Sequence, residues 1–109
     1  MLHFHEKINK IIDETVNSKV DSFTSAYRVT ESEALELGLK WLGDGYKPIG
    51  PANRGVFRSA DGTKQFRMDS NSLLGNHNPN EPHIHLEMVA PNGRDLLNQN
   101  HLILEIRND

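Results

Sequence analysis

The sequence predicts an α+β fold: two N-terminal helices packed on a four-stranded antiparallel β-sheet. Three observations carry this. Apolar residues recur every three or four positions only in the first 45 residues. The later chain alternates apolar and polar residues with period two. No long crossover helix separates the later strands, so they can pair only as antiparallel neighbours.

The 109 residues suit one domain, with a helical part at about 1–45 and a sheet part at about 46–109. Ile8, Ile11, Ile12, Val16 and Val20 predict an amphipathic helix from about residue 4 to 18. Ser22 to Arg28 reads as a polar connection. Thr30-Glu31-Ser32-Glu33 fits a capping box, in which Thr30 accepts from the Glu33 N–H and Glu33 reaches back. A second helix follows through Ala34, Leu35, Leu37, Leu39, Trp41 and Leu42, with Gly43 and Gly45 at its end. Trp41 is expected in the core. Pro48, Gly50, Pro51 and Gly55 punctuate a loop. Val56–Ser59 and Lys64–Met68 read as a hairpin around Asp61-Gly62. Ser70–Leu74 is expected as a helical turn closed by Gly75. His83–Val89 and His101–Ile106 read as two more strands, with a turn at Pro91-Asn92-Gly93 between them.

Composition narrows function. There is no Cys, which excludes a disulfide framework and any thiolate ligand or nucleophile. No apolar run approaches the roughly 20 residues of a membrane span. The net charge of −3 argues against a generally basic nucleic-acid coat. That average conceals an asymmetry. Residues 46–68 hold Lys47, Arg54, Arg58, Lys64 and Arg67 against one acid, Asp61, a net +4 that leaves −7 for the rest.

Four of the six His lie between residues 77 and 101. On a strand, His83, His85 and Glu87 share one side and Ile84, Leu86 and Met88 the other. The apolar side must face the core, so the imidazoles and carboxylate are expected to face solvent or a cleft. Successive same-side residues stand roughly 7 Å apart, a spacing that can flank one phosphate. Two chemistries use such a pair: metal-free general acid–base work near neutral pH, and ligation of zinc or another divalent ion. The bland alternative is a polar strand face with incidental His. His77 and His101 near the same strands favour function. Arg67, on the opposite side of its strand from Lys64 and Phe66, is expected beside His83 or His85, where a guanidinium can stabilise a reacting phosphate.

The strings Gly38-Leu39-Lys40-Trp41-Leu42-Gly43-Asp44-Gly45-Tyr46, Gly55-Val56-Phe57-Arg58-Ser59-Ala60-Asp61-Gly62, Gln65-Phe66-Arg67-Met68 and Pro82-His83-Ile84-His85-Leu86-Glu87 resemble C-terminal toxin domains of bacterial polymorphic toxins. The resemblance is to a metal-independent RNase family of the barnase, colicin and RelE-like superfamily, and covers about half of the chain. It implies N-terminal helices on an antiparallel sheet and a ribonuclease that uses no cofactor or metal. It marks His83 and His85 as catalytic acid and base and Arg67 as the transition-state stabiliser. Arg58 and Lys64 become phosphate contacts, with His77, His101 and Glu87 further substrate-binding residues. It implies an RNA substrate, a cognate immunity protein, and secretion from a producer into a target-cell cytoplasm. Such domains usually follow a large delivery region, so a chain beginning at its own Met1 is expected to be an excised domain or a free-standing relative. Two other readings compete. The His-x-His strand also resembles that of lysostaphin-like zinc peptidases, which need a further His and Asp. A non-enzymatic immunity or adaptor module would fit the overall acidity.

Overall fold

The computed structural model describes residues 4–75 and 79–105, so His77 and Ile106 lie outside the described residues. Helix α1 (Phe4–Val16) leads to strand β1 (Ser22–Thr24) and helix α2 (Glu31–Leu42). Strands β2 (Lys47–Pro48), β3 (Val56–Arg58) and β4 (Lys64–Arg67) follow, with a 3-10 turn at Ala52–Arg54 between β2 and β3. The short α3 (Ser70–Leu73) precedes β5 (His83–Val89) and β6 (Leu96–Ile103).

The α+β class is as expected, but among the described residues the sheet has six strands rather than four, in the order β1-β6-β5-β4-β3-β2. β3 to β6 pair antiparallel as expected, but β6 begins at Leu96, five residues before the strand expected from His101. The two additions sit at the edges. β2 pairs antiparallel with β3, and Pro48 is tolerated there because an edge strand need not donate on its outer side. β1 pairs parallel with β6, which makes the sheet mixed. The segment read as a polar connection is therefore zipped along β6. The Ser25 and Val29 N–H groups donate to the His101 and Ile103 carbonyls, and the Glu105 N–H to that of Val29.

The helices cover one face of the sheet. Ile8 and Ile11 of α1 and Ala34, Leu37, Trp41 and Leu42 of α2 join Phe66, Ile84, Leu86 and Leu102 in the core. The stripe on α1 is narrower than its sequence suggested. Thr15 takes the third buried position, while Val16 and Val20 are 44% and 56% exposed. Thr15 holds this place through hydrogen bonds. The Asn100 amide of β6 donates to Thr15 Oγ1 at 2.8 Å, and the Asn98 amide donates to the Thr15 carbonyl at 2.7 Å. That carbonyl belongs to the last turn, where no intrahelical N–H remains to meet it. Two sheet side chains thus cap α1 and fix it over β6.

The expected capping box opens α2, with Thr30 accepting from the Glu33 N–H and Glu33 from the Thr30 N–H. Gly43 ends the helix at φ 73°. Gly38 lets α2 approach β4 closely: a Cβ there would stand 2.7 Å from the Phe66 ring. The Trp41 indole N–H donates to the Gln65 carbonyl at 3.0 Å, which locks α2 to β4. No helix among the described residues is long and apolar enough to cross a membrane.

Candidate active site

The site lies on the face of the sheet opposite the helices. Register places its members side by side. Arg67 of β4 pairs with His85 of β5, and His85 with His101 of β6. Gln65, Glu87 and Gln99 form the neighbouring row. His83 is two residues before His85 and so joins the same face.

Sequence analysis expected these side chains to face solvent or a cleft, and the structure corrects that. His83 and Glu87 are 0% exposed and His85 is 1%. β5 lies in the middle of the sheet, flanked by β4 and β6, so its polar side chains pack on their neighbours rather than on water. The His83, His85 and His101 rings form a tilted triangle with centroids 4.9, 5.6 and 4.5 Å apart. Arg67, 27% exposed, lies against the His85 ring, with Nη2 at 3.2 Å from Nε2 and 3.3 Å from Nδ1.

Buried charge is tolerated only when paired and hydrogen-bonded. Glu87 Oε1 accepts from the Gln65 amide at 2.7 Å. Glu87 Oε2 lies 3.3 Å from His85 Nδ1 and 3.8 Å from Arg67 Nη2. Arg67 Nε stands 3.8 Å from Asp69 Oδ1. Burial opposes the charge on Glu87. The His85 ring, the Arg67 guanidinium and the Gln65 amide outweigh it and hold the carboxyl below its ordinary value. Burial lowers the His85 imidazole from its ordinary value, against the pull of Glu87 and with the help of Arg67. The site thus brings together a buried carboxyl pushed towards its charged form and an imidazole pushed towards its neutral form.

Backbone carbonyls orient the other two rings. His83 Nδ1 is 2.7 Å from the Glu81 carbonyl, and His101 Nδ1 is 2.9 Å from that of Phe23. A carbonyl oxygen only accepts, so both Nδ1 atoms carry the hydrogen. In the neutral ring, Nε2 then holds the lone pair. His83 Nε2 and His85 Nε2 approach to 3.1 Å.

Of the residues singled out by sequence, Arg67, His83, His85, Glu87 and His101 come together. Arg58 and Lys64 do not join them. Arg58 donates to Gln65 Oε1 through Nε at 3.2 Å and Nη2 at 2.7 Å, and to the Gly93 carbonyl through Nη1 at 2.9 Å. It anchors the amide that holds Glu87. Lys64 points to the helix side, with Nζ 4.9 Å from the centroid of the Trp41 ring. Sequence reasoning assigned no role to Gln65, Asp69 or the Glu81 and Phe23 carbonyls. Gln65 was discoverable, since it shares a strand face with Arg67. The Phe23 carbonyl was not, because β1 is too short to show a period.

Comparison with protein-family models, with curated proteins and with solved structures finds no match.

Proposed function

We propose that the chain is an endoribonuclease of the toxin type that cleaves RNA by histidine acid–base catalysis. The observation that carries this reading is the meeting of Arg67 with His85, and of His85 with His83, on one sheet face. One of the two histidines takes the proton of the ribose 2′-hydroxyl. The 2′-oxygen attacks the adjacent phosphorus, and a 2′,3′-cyclic phosphate forms as the bond to the 5′-oxygen breaks. The other histidine gives that oxygen its proton.

Arg67 supports this chemistry because its guanidinium can meet two non-bridging phosphate oxygens as negative charge builds there. Its partial exposure makes it the first group of the cluster that a phosphate would meet. Glu87 acts by positioning: its carboxylate stands 3.3 Å from His85 Nδ1 and favours the hydrogen on that nitrogen. His101 borders both histidines as a substrate contact. With His83 and His85 closed to solvent, turnover requires that this face open to the substrate. The resemblance in sequence extends the proposal to a cognate immunity protein and to delivery into a target cell.

The experiment incubates the purified chain with RNA in EDTA. The parent is expected to produce 2′,3′-cyclic phosphate ends, and His83→Ala and His85→Ala each to lose on the order of 10²–10⁴-fold in rate. Unchanged cleavage by both variants, or none by the parent, would sink the proposal. Activity that EDTA abolishes and zinc restores would replace it with the zinc-dependent hydrolase. Growth arrest on expression separates either enzyme from a harmless binding module.

A further inference from the structure

We propose that His83, His85 and His101 form a binding site for one zinc-class divalent ion, and that filling it silences the acid–base pair. The ion site stands on geometry alone. The silencing rests on the ribonuclease reading.

Tautomers come first. The Glu81 and Phe23 carbonyls fix the hydrogens of His83 and His101 on Nδ1. The Glu87 carboxylate, 3.3 Å from His85 Nδ1, favours the same tautomer there. All three rings therefore offer Nε2 as the lone-pair atom. Metal-bound histidines are characteristically held in this way, with the outer N–H on a carbonyl or carboxylate that orients the ring. Two such carbonyls and one such carboxylate surround this cluster.

Convergence comes second. One ring nitrogen from each histidine lies within 4.8 Å of the other two. The His83 and His85 Nε2 atoms already approach to 3.1 Å. Tetrahedral zinc, with bonds of about 2.0–2.1 Å to nitrogen, places its ligands about 3.3 Å apart. The pair is near that spacing already, and His101 closes the triangle by a small ring movement. Imidazole donors select zinc, copper or nickel over magnesium and calcium.

Arg67 decides what the ion does. Its guanidinium lies 3.2 Å from His85 Nε2, so the nitrogen that would bind the metal is the one now facing a cation. Metal and guanidinium repel one another, while Glu87 offsets part of that charge. The ion also takes the lone pairs that proton transfer needs. Metal loading and catalysis thus compete for the same atoms, and Arg67 weights the competition towards catalysis.

The test strips the full-length chain with EDTA, desalts it, and titrates ZnCl2 by calorimetry, with elemental analysis after gel filtration. One zinc per chain is expected, with none lost to excess MgCl2. His83→Ala and His101→Ala should each weaken zinc binding at least about 10-fold, while the exposed-site control His5→Ala binds as the parent does. Circular dichroism confirms that each variant is folded. Arg67→Gln provides the sharper result, because it should bind zinc more tightly and cleave RNA more slowly. Stoichiometric zinc should suppress parental cleavage, and EDTA should restore it. Absence of stoichiometric zinc, or zinc binding that survives both His83→Ala and His101→Ala, overturns the ion site and leaves the ribonuclease reading intact. Zinc that accelerates cleavage overturns the silencing. A chain that binds zinc through these histidines but cleaves no RNA in EDTA keeps the ion site and overturns the silencing with the ribonuclease reading.

Discussion

Along β5 the two faces of the sheet are separated by the thickness of one backbone, and both are closed to water. Ile84 and Leu86, 1% and 0% exposed, face the helices. His83, His85 and Glu87 face the other way and are buried as completely. Burial has opposite signs on the two sides. Removing apolar surface from water stabilises the helix-covered face. Removing a carboxylate and imidazoles from water destabilises the opposite face unless each polar atom finds a partner. The chain from Arg58 through Gln65 to Glu87 Oε1 supplies part of this, while Glu87 Oε2 and Arg67 Nε are buried without a hydrogen bond and are met only by neighbouring charge. One face therefore holds the fold together. The other is held in place by it, which is the arrangement expected where chemistry is placed at a cost in stability.

The largest test of this asymmetry is Leu86→Ala. It leaves a cavity between β5 and the helices that α1 and α2, pinned by Asn98, Asn100 and Trp41, cannot easily fill. A loss of about 2–5 kcal/mol is expected in denaturant unfolding. On the other face, His101→Leu removes a partly satisfied polar ring and adds apolar volume. Its stability should stay within about 1.5 kcal/mol of the parent, in either direction. Equal losses at the two positions would show that the polar face carries the fold as well.

A smaller effect lies in acid. Asp61, at the turn between β3 and β4, accepts from the Thr63 N–H and hydroxyl and from the Ser59 hydroxyl, and its carboxyl is lowered to about 2. Glu33 is also lowered. Burial opposes its ionisation, but the Thr30 N–H and the Lys7 ammonium outweigh that. Both folded-state values lie below those of the unfolded chain. Their contribution is therefore present in full above the unfolded carboxylate range near 4, and is lost as pH falls through the folded values. Thermal unfolding from pH 5 to pH 2 should show a falling melting temperature, with a shallower fall in Asp61→Asn. An identical slope in that variant would remove the turn from the account.

Much of the fold was legible because it follows local rules. The capping box and the three-four periodicity located α2, and strict alternation located β5 to the residue. Period two also put Arg67 beside His83 or His85, and the β4–β5 register makes the partner His85. What escaped was set by non-local pairing. β1 and β2 span three and two residues, too few to show a period, and only β6 and β3 make them strands. Val20 looked like helix because its spacing fits, yet α1 stops at Val16 and Thr15 is the residue clamped to β6. The burial of His83 and Glu87 was hidden for a related reason. Alternation reports which residues share a face, and says nothing of what covers that face. The third histidine of the cluster, His101, was visible as a residue, but its alignment with His85 depends on the β5–β6 register.

The smallest expected effect tests where the two faces divide the chain's positive charge. Lys64 and Arg67 belong to one four-residue strand and to the same basic segment, so sequence alone gives both a claim on phosphate. Their side chains leave β4 on opposite sides. Lys64 stands over the Trp41 ring, a contact worth about 0.5–1 kcal/mol at such a half-exposed position. Arg67 touches His85 and Glu87. Lys64→Gln should therefore lower stability by no more than that amount and leave RNA cleavage within about twofold at moderate salt, since only a long-range, screened attraction is lost. Arg67→Gln should lose far more rate than stability. Measuring both variants at two salt concentrations separates the cases. If Lys64→Gln lost as much rate as Arg67→Gln at both, RNA would have to engage both sides of β4. The division between a structural and a chemical face would then fail at the strand where it is most sharply drawn.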